Sequence, residues 1–334
     1  MRAVRLHATQ DLRFEHIDPP RAPERDEATL SVTAAGICGS DLHNYLTGAW
    51  ITRAPSVAGH EFTGIVTRTG EAVDHVAAGD RVIVDSRHIC GTCPACLDGT
   101  GQVCESLGFL GEMIDGGFAE AVTLPARNLL KAPDAVPDRH LALAEPLAVA
   151  LHALNLLDAP AGAEIVVTGA GPIGGFVTLL ARRSGHPVAI LDRNGQRADL
   201  VAQATGARVV TPDRLANMRF RHVVETTGSQ HVIRAMLGNI AGASRVALVG
   251  IGMPAGIIDP VHLVEREIAV MGCHAFGNEL EEIRDLLPEL SPRLDPFIAA
   301  QIPLEDVPNA YTRLAAGNAD GIKTIIICGN NHAD

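Results

Sequence analysis

No run of basic residues occurs in this chain of 334 residues, and its formal charge of -12 repels a phosphate backbone. Nucleic acid is therefore excluded as a partner. Long apolar runs are also missing. The start, Met1-Arg2-Ala3-Val4-Arg5-Leu6, lacks the apolar region of a signal peptide and alternates like a first strand. The stretches 141–151 and 325–328 are too short, or too interrupted by Glu145 and Pro146, to span a bilayer. The expectation is a cytoplasmic protein with no membrane partner. A disulfide framework is absent as well: the total of seven cysteines is odd, and four of them crowd between Cys90 and Cys104 at metal spacing. There is no internal repeat and no low-complexity tract.

What is present is the composition of a globular protein, 47% hydrophobic and 20% charged, in a chain long enough for two domains. Up to about residue 132 the sequence consists of short strand-like segments, at 28–35, 62–69, 81–85 and 118–124, broken by Gly, Pro and Asp. A helix is expected over 140–157, where Leu141, Leu143, Leu147, Leu151, Leu154 and Leu157 line one face. Apolar strands then alternate with helices: 165–168, 172–183, 188–191, 196–205, 208–210, 222–225 and 245–249. That rhythm implies a parallel sheet with crossover helices. A further helix at 279–287 leads to a last strand at 323–328.

Three groups of residues carry chemistry. Gly169-Ala170-Gly171-Pro172-Ile173-Gly174 follows an apolar strand and opens a helix. Its glycines allow a tight turn, close approach of backbone to a pyrophosphate, and helix packing, with the helix N-terminus facing the phosphates. Asp192 ends the next strand, where a carboxylate accepts the ribose hydroxyls and repels a 2′-phosphate, so NAD is expected, with Arg193 beside it as the reservation. The full expected cofactor set is Gly169, Gly171, Pro172, Ile173, Gly174, Asp192, Arg193, Arg197, Val249 and Gly250.

Cys90, Cys93, Cys96 and Cys104 supply four thiolates in one loop, enough to close a tetrahedral zinc site that is structural. Cys38, His60 and Glu61 offer a thiolate, an imidazole and a carboxylate, a donor set for a zinc that keeps one position open. Ser40 and His43 sit beside Cys38 and suit a proton relay away from a substrate hydroxyl.

Gly59-His60-Glu61-Phe62-Thr63-Gly64 is followed by Val66, Gly70, Val73, Gly79, Asp80 and Val82. Together with Cys38-Gly39-Ser40-Asp41, the cysteine loop and the glycine-rich turn, in that order, this resembles the zinc-containing medium-chain alcohol and polyol dehydrogenases. Within that family the chain looks most like the branch of sorbitol, L-idonate and threonine dehydrogenases. The resemblance implies a GroES-like β domain with both zincs over 1–145, a Rossmann NAD-binding domain over 146–272, and a return of 273–334 to the first domain. It also implies that Glu145 is either a third protein ligand of the catalytic zinc or the group that holds its water, leaving Glu61 and Glu145 as alternatives. Relatives are dimers or tetramers, and the stretch 244–258 is where subunits are expected to meet.

The expected activity is zinc-dependent hydride transfer from a secondary alcohol, a polyol, sugar acid or cyclitol, to NAD. The alternatives are a threonine- or butanediol-type enzyme, or a non-catalytic dinucleotide-binding relative. Ala275 stands where polyol dehydrogenases of this kind carry an arginine, and Asn44 where they carry a tyrosine. Asn44, Trp50, Phe109, His274 and Phe276 are the candidate walls of the substrate pocket.

Overall fold

A computed structural model describes residues 1–252, 259–318 and 321–329. The chain forms two compact units. One comprises Met1–Glu145 together with the chain from Leu280 onward, and the other Pro146–Glu279.

The first unit is built on an antiparallel pair, Glu27–Gly36 and Glu61–Thr69, in which Gly36 lies opposite Glu61. Arg81–Val84 and Leu129–Lys131 extend the sheet on the Glu61 side. On the other side come Lys323–Ile327, antiparallel with Ile325 opposite Gly36, and then Ile298–Pro303, parallel to it. Alternation fixes this register, because a slip of one residue would turn the apolar set outward. Leu30, Val32, Phe62, Val66, Val82, Phe118, Leu124 and Ile326 are each 2% exposed or less and form the core. The strand expected at 118–124 is formed at Ala121–Pro125, with Ala119 making an isolated bridge to Ala3.

The second unit is a parallel sheet of six strands in the order Arg208–Val209, Val188–Leu191, Ile165–Thr168, His222–Glu225, Arg245–Leu248, Ala269–Gly272. Every residue of Ile165–Thr168 and Val188–Leu191 is buried, as strands covered on both faces must be. The strand order reverses between Ile165–Thr168 and His222–Glu225. This is the doubly wound arrangement, in which a ligand lies beyond the carboxyl ends of the strands at that reversal.

The helix expected over 140–157 is divided into Asp138–Leu141 and Ala144–Leu157. The second piece begins where Pro146, which has no N–H, falls in a first turn that needs none. Among the described residues, Asp138–Leu157 is the one helical stretch long and apolar enough to cross a membrane; 72% of its most apolar window is buried in the protein, as in a core helix. The helix Glu279–Leu290 runs past Pro288 instead of stopping at 287. Of the stretch 244–258, residues 253–258 lie outside the described residues.

Candidate active site

The pairing of Gly36 with Glu61 decides the site, because it sets the residue two beyond Gly36 against the residue just before Glu61. Cys38 is extended and caps the helix Gly39–Thr47. Its backbone N–H donates to Asp41 Oδ2 at 3.0 Å, and Asp41 Oδ1 lies 3.1 Å from His60 Nδ1. One carboxylate thus caps the helix and turns the imidazole so that Nε2 faces inward, the orientation in which a histidine holds a metal. The ligand atoms of Cys38, His60 and Glu61 all lie within 4.8 Å of one another. The Ser40 hydroxyl donates to Cys38 Sγ at 3.1 Å and lies 3.5 Å from His60 Nε2. His43, on the same helix, packs its ring against Trp50 with centroids 4.9 Å apart.

Charge around this cluster is mostly negative. Glu61 is fully buried and ion-paired with Lys323, also buried. A side chain at Gly36 would strike both, so that glycine is required by the pair. Glu145 is buried, accepts a hydrogen bond from Ser86 at 2.9 Å, and is pushed up to about 7 by burial and by the neighbouring Glu61 charge, against the pull of His60. It stands outside the 4.8 Å grouping and acts on it through charge. Burial lowers the pKa of His60, but Asp41 and Cys38 outweigh it and raise the value well above the ordinary one. Glu112 is pushed up to about 7 by burial, with His60 pulling it down and Asp41 raising it. A soft, a borderline and a hard donor converging among buried acidic groups is a set that fits a divalent zinc ion.

The second cluster is complete within one loop. Sulfur separations of 3.5 Å (Cys90–Cys104), 3.8 Å (Cys93–Cys104) and 3.9 Å (Cys90–Cys96) are too long for disulfides, and the four ligand atoms lie within 4.8 Å of one another. Backbone N–H groups of Thr92 and Cys93 point at Cys90 Sγ, at 3.4 and 3.3 Å, and hold that thiol down to about 6. Four sulfurs with donors already aimed at them fit a closed tetrahedral zinc site.

In the second unit Gly169 has φ of 100°, which a side chain resists, and Gly174 packs so closely on the Gly169 carbonyl that a Cβ has no room. A Cβ at Gly171 would meet nothing, so the turn is bare on the side where backbone can approach a ligand. Pro172 and Ile173 open the helix Pro172–Arg183. Asp192 Oδ2 accepts from Ala170 N at 2.6 Å, while Oδ1 accepts from Asn194 N at 2.7 Å and from the Arg197 guanidinium at 3.2 Å. Arg193 is exposed. Val249 and Gly250 donate their N–H groups to the Glu225 carbonyl, at 2.8 and 3.0 Å.

Two expected pocket walls have other roles. Asn44 is buried and accepts from Trp50 N at 2.8 Å, so it holds the Trp50 loop, and Phe276 is fully buried. Phe109 lies with its ring centroid 6.4 Å from that of His60. Residues that the sequence alone does not single out are Lys323, Ser86 and Glu225. Asp41 stands in the Cys38 motif, and its position three residues after the cap is the signal for its capping role.

Residues 24–134 match the family model of the alcohol dehydrogenase GroES-like domain, and residues 172–291 that of the zinc-binding dehydrogenase. The 2-dehydro-3-deoxy-L-galactonate 5-dehydrogenase of Pseudoalteromonas atlantica is 31% identical over 92% of this chain and 93% of its own. The chain belongs to the zinc-type medium-chain dehydrogenase/reductase family. The L-threonine 3-dehydrogenase of Bacillus licheniformis is 30% identical, covering 93% and 94% of the two chains. A Sinorhizobium meliloti 1021 protein solved bound to NADP superposes with a TM-score of 0.91 over 98% of both chains, at 29% identity. This medium-chain dehydrogenase therefore pairs a GroES-like domain with a Rossmann-type domain. It is a zinc-binding, NAD-linked oxidoreductase acting on a CH–OH donor, with zinc and NAD as cofactors.

Proposed function

We propose that this medium-chain dehydrogenase oxidises a secondary alcohol on a polar carbon skeleton: a polyol, a sugar acid or a cyclitol. The observation that carries this reading is the convergence of Cys38, His60 and Glu61 within 4.8 Å, with the Ser40 hydroxyl 3.1 Å from the Cys38 sulfur. In this reading those three side chains hold the catalytic zinc, and Glu145, held by Ser86, is the outer carboxylate. Zinc, when bound, supplies Lewis acidity that makes a substrate hydroxyl a better acid. Asp41 keeps the His60 ring in its ligating orientation. Ser40 takes the hydroxyl proton and passes it toward His43, which follows at helical spacing on the same face. Cys90, Cys93, Cys96 and Cys104 hold the structural zinc.

In the second unit the nicotinamide dinucleotide lies over Gly169, Gly171, Pro172, Ile173 and Gly174, with Val249 and Gly250 beside it. Asp192 receives the adenosine ribose, flanked by Arg193 and Arg197. Its nearly buried carboxylate favours NAD over NADP by repelling a 2′-phosphate.

The substrate class is supported by the galactonate-type relative, named for oxidation at carbon 5 of a sugar-acid chain. A threonine-type substrate is the second reading, supported by the comparably similar threonine dehydrogenase. We infer a homodimer or homotetramer, for which Ala269–Gly272 at the sheet edge and the exposed Ile251 are the candidate contacts. A cytoplasmic location is supported by seven cysteines of which none forms a disulfide. The test is NADH formation by zinc-loaded protein on polyols, aldonates, cyclitols, 2,3-butanediol and threonine. Turnover on a polyhydric substrate supports the first reading; turnover on threonine alone replaces it with the second.

A further inference from the structure

The strand reversal of the second unit contains a buried carboxylate that the reaction itself does not use. Glu225 ends the strand His222–Glu225, in register with Thr168 on one side and Leu248 on the other, and is fully buried. No cation pairs with it among the described residues. Instead its Oε1 accepts from Thr227 N at 2.8 Å, from the Thr227 hydroxyl, and from the Thr168 hydroxyl at 3.4 Å, while Oε2 accepts from Gly228 N at 3.0 Å. A buried carboxylate without donors would be costly, and here every donor but one comes from the loop it begins.

That loop touches both neighbours. Thr226 donates its N–H to the Thr168 carbonyl at 3.0 Å, and its hydroxyl lies 2.9 Å from that oxygen and 3.4 Å from the Gly169 carbonyl. On the other side the Glu225 carbonyl accepts from Val249 and Gly250, and a Cβ on Gly250 or Gly252 would collide with the backbone of Gly228. Three loops leaving three adjacent strands are thus tied backbone to backbone.

We propose that Glu225 is a positioning residue for NAD: by holding 226–228 it fixes the spacing between the glycine-rich turn and Val249-Gly250, against which the pyrophosphate and nicotinamide half must fit. The inference rests on the reading that the dinucleotide lies over Gly169–Gly174. Its mark is a split between ligands. AMP, which spans only Asp192 and the glycine-rich turn and lacks the half that reaches Val249-Gly250, does not need the three loops in register, whereas NADH does.

The experiment is titration of the zinc-loaded protein with NADH, and separately with AMP, for the wild type, Glu225→Gln and Glu225→Asp. Glutamine keeps the volume but turns an N–H₂ toward N–H donors, so NADH affinity falls about 10- to 100-fold, while AMP affinity stays within about twofold. Aspartate keeps acceptor oxygens and restores part of the loss. Thr227→Val, which removes one donor to Oε1 at nearly constant volume, carries the test if the glutamine variant does not fold, with the same split expected. Equal weakening of NADH and AMP, or NADH affinity unchanged from wild type, overturns the proposal. Failure of the wild type itself to bind NADH would instead overturn the reading of the crevice, and the proposal with it.

Discussion

Asp41 shows how few atoms separate folding from chemistry here: one oxygen caps a helix and the other, 3.1 Å from His60 Nδ1, turns a candidate ligand. Ser40 is one residue away, with its hydroxyl close to both Cys38 and His60, and a neutral hydroxyl is a weaker zinc donor than thiolate, imidazole or carboxylate. Ser40→Ala is therefore expected to keep full zinc content while kcat falls about 100-fold or more, the usual scale of a lost proton-transfer group. Metal analysis beside steady-state kinetics checks both halves, and loss of zinc in the variant would reassign Ser40 to the metal shell. Asp192 is tied by Ala170, Asn194 and Arg197 into the mouth of the glycine-rich turn. Asp192→Ala should raise KM for NAD about 10- to 100-fold, with KM for the alcohol nearly unchanged, as expected for lost hydrogen bonds to a charged acceptor.

At the scale of elements, the helix Ala144–Leu157 is anchored at both ends by carboxylates with opposite fates. Glu145 in its first turn is pushed up, whereas Glu279, which meets His152 and Asn155 on the same helix at 2.9 and 3.1 Å, is held down to about 2. Burial pushes Glu279 up, but the hydrogen bonds and charge of His152 and the amide of Asn155 outweigh it. A carboxyl whose folded value lies below its unfolded value of about 4.3 stabilises the fold fully above about pH 5 and loses that contribution as pH falls toward 2. Glu279→Gln should cost about 1 to 2 kcal/mol at pH 6, discounted for its partial exposure, with the gap narrowing as pH falls below about 4 and closing only near and below about pH 2 in urea denaturation. A pH-independent gap would mean packing and not ionisation.

For the whole molecule, what the sequence makes legible is what is local. The glycine-rich turn, its flanking strand and helix, and Asp192 lie within one strand–helix–strand unit, and Ile165–Thr168, Pro172–Arg183 and Val188–Leu191 form where their pattern places them. The four cysteines lie in one loop, so their spacing alone announces the cluster. What is not legible depends on partners far along the chain. Lys323 reads as one residue of a last strand until that strand pairs beside Gly36 and brings its amine to Glu61. Glu225 reads as the polar end of a buried strand until three loops close on it. Asn44 and Phe276 look like pocket walls because residue type says nothing about which way a side chain turns; one is spent on Trp50 and the other is buried.

Cys38, His60 and Glu61 are proposed to hold the zinc on which NAD-linked alcohol oxidation depends. The measurement that bears on this most directly is zinc stoichiometry together with NADH formation, for wild type and Cys38→Ala, before and after treatment with a chelator. The expected result is two zinc ions per wild-type chain and one in Cys38→Ala, matching the two ligand clusters found among the described residues, with turnover lost in the variant and in the chelated wild type and restored to the latter by added zinc. A Cys38→Ala protein that keeps both metals would mean that Cys38 is not a zinc ligand, and turnover that survives complete removal of zinc would mean that the oxidation does not depend on the metal.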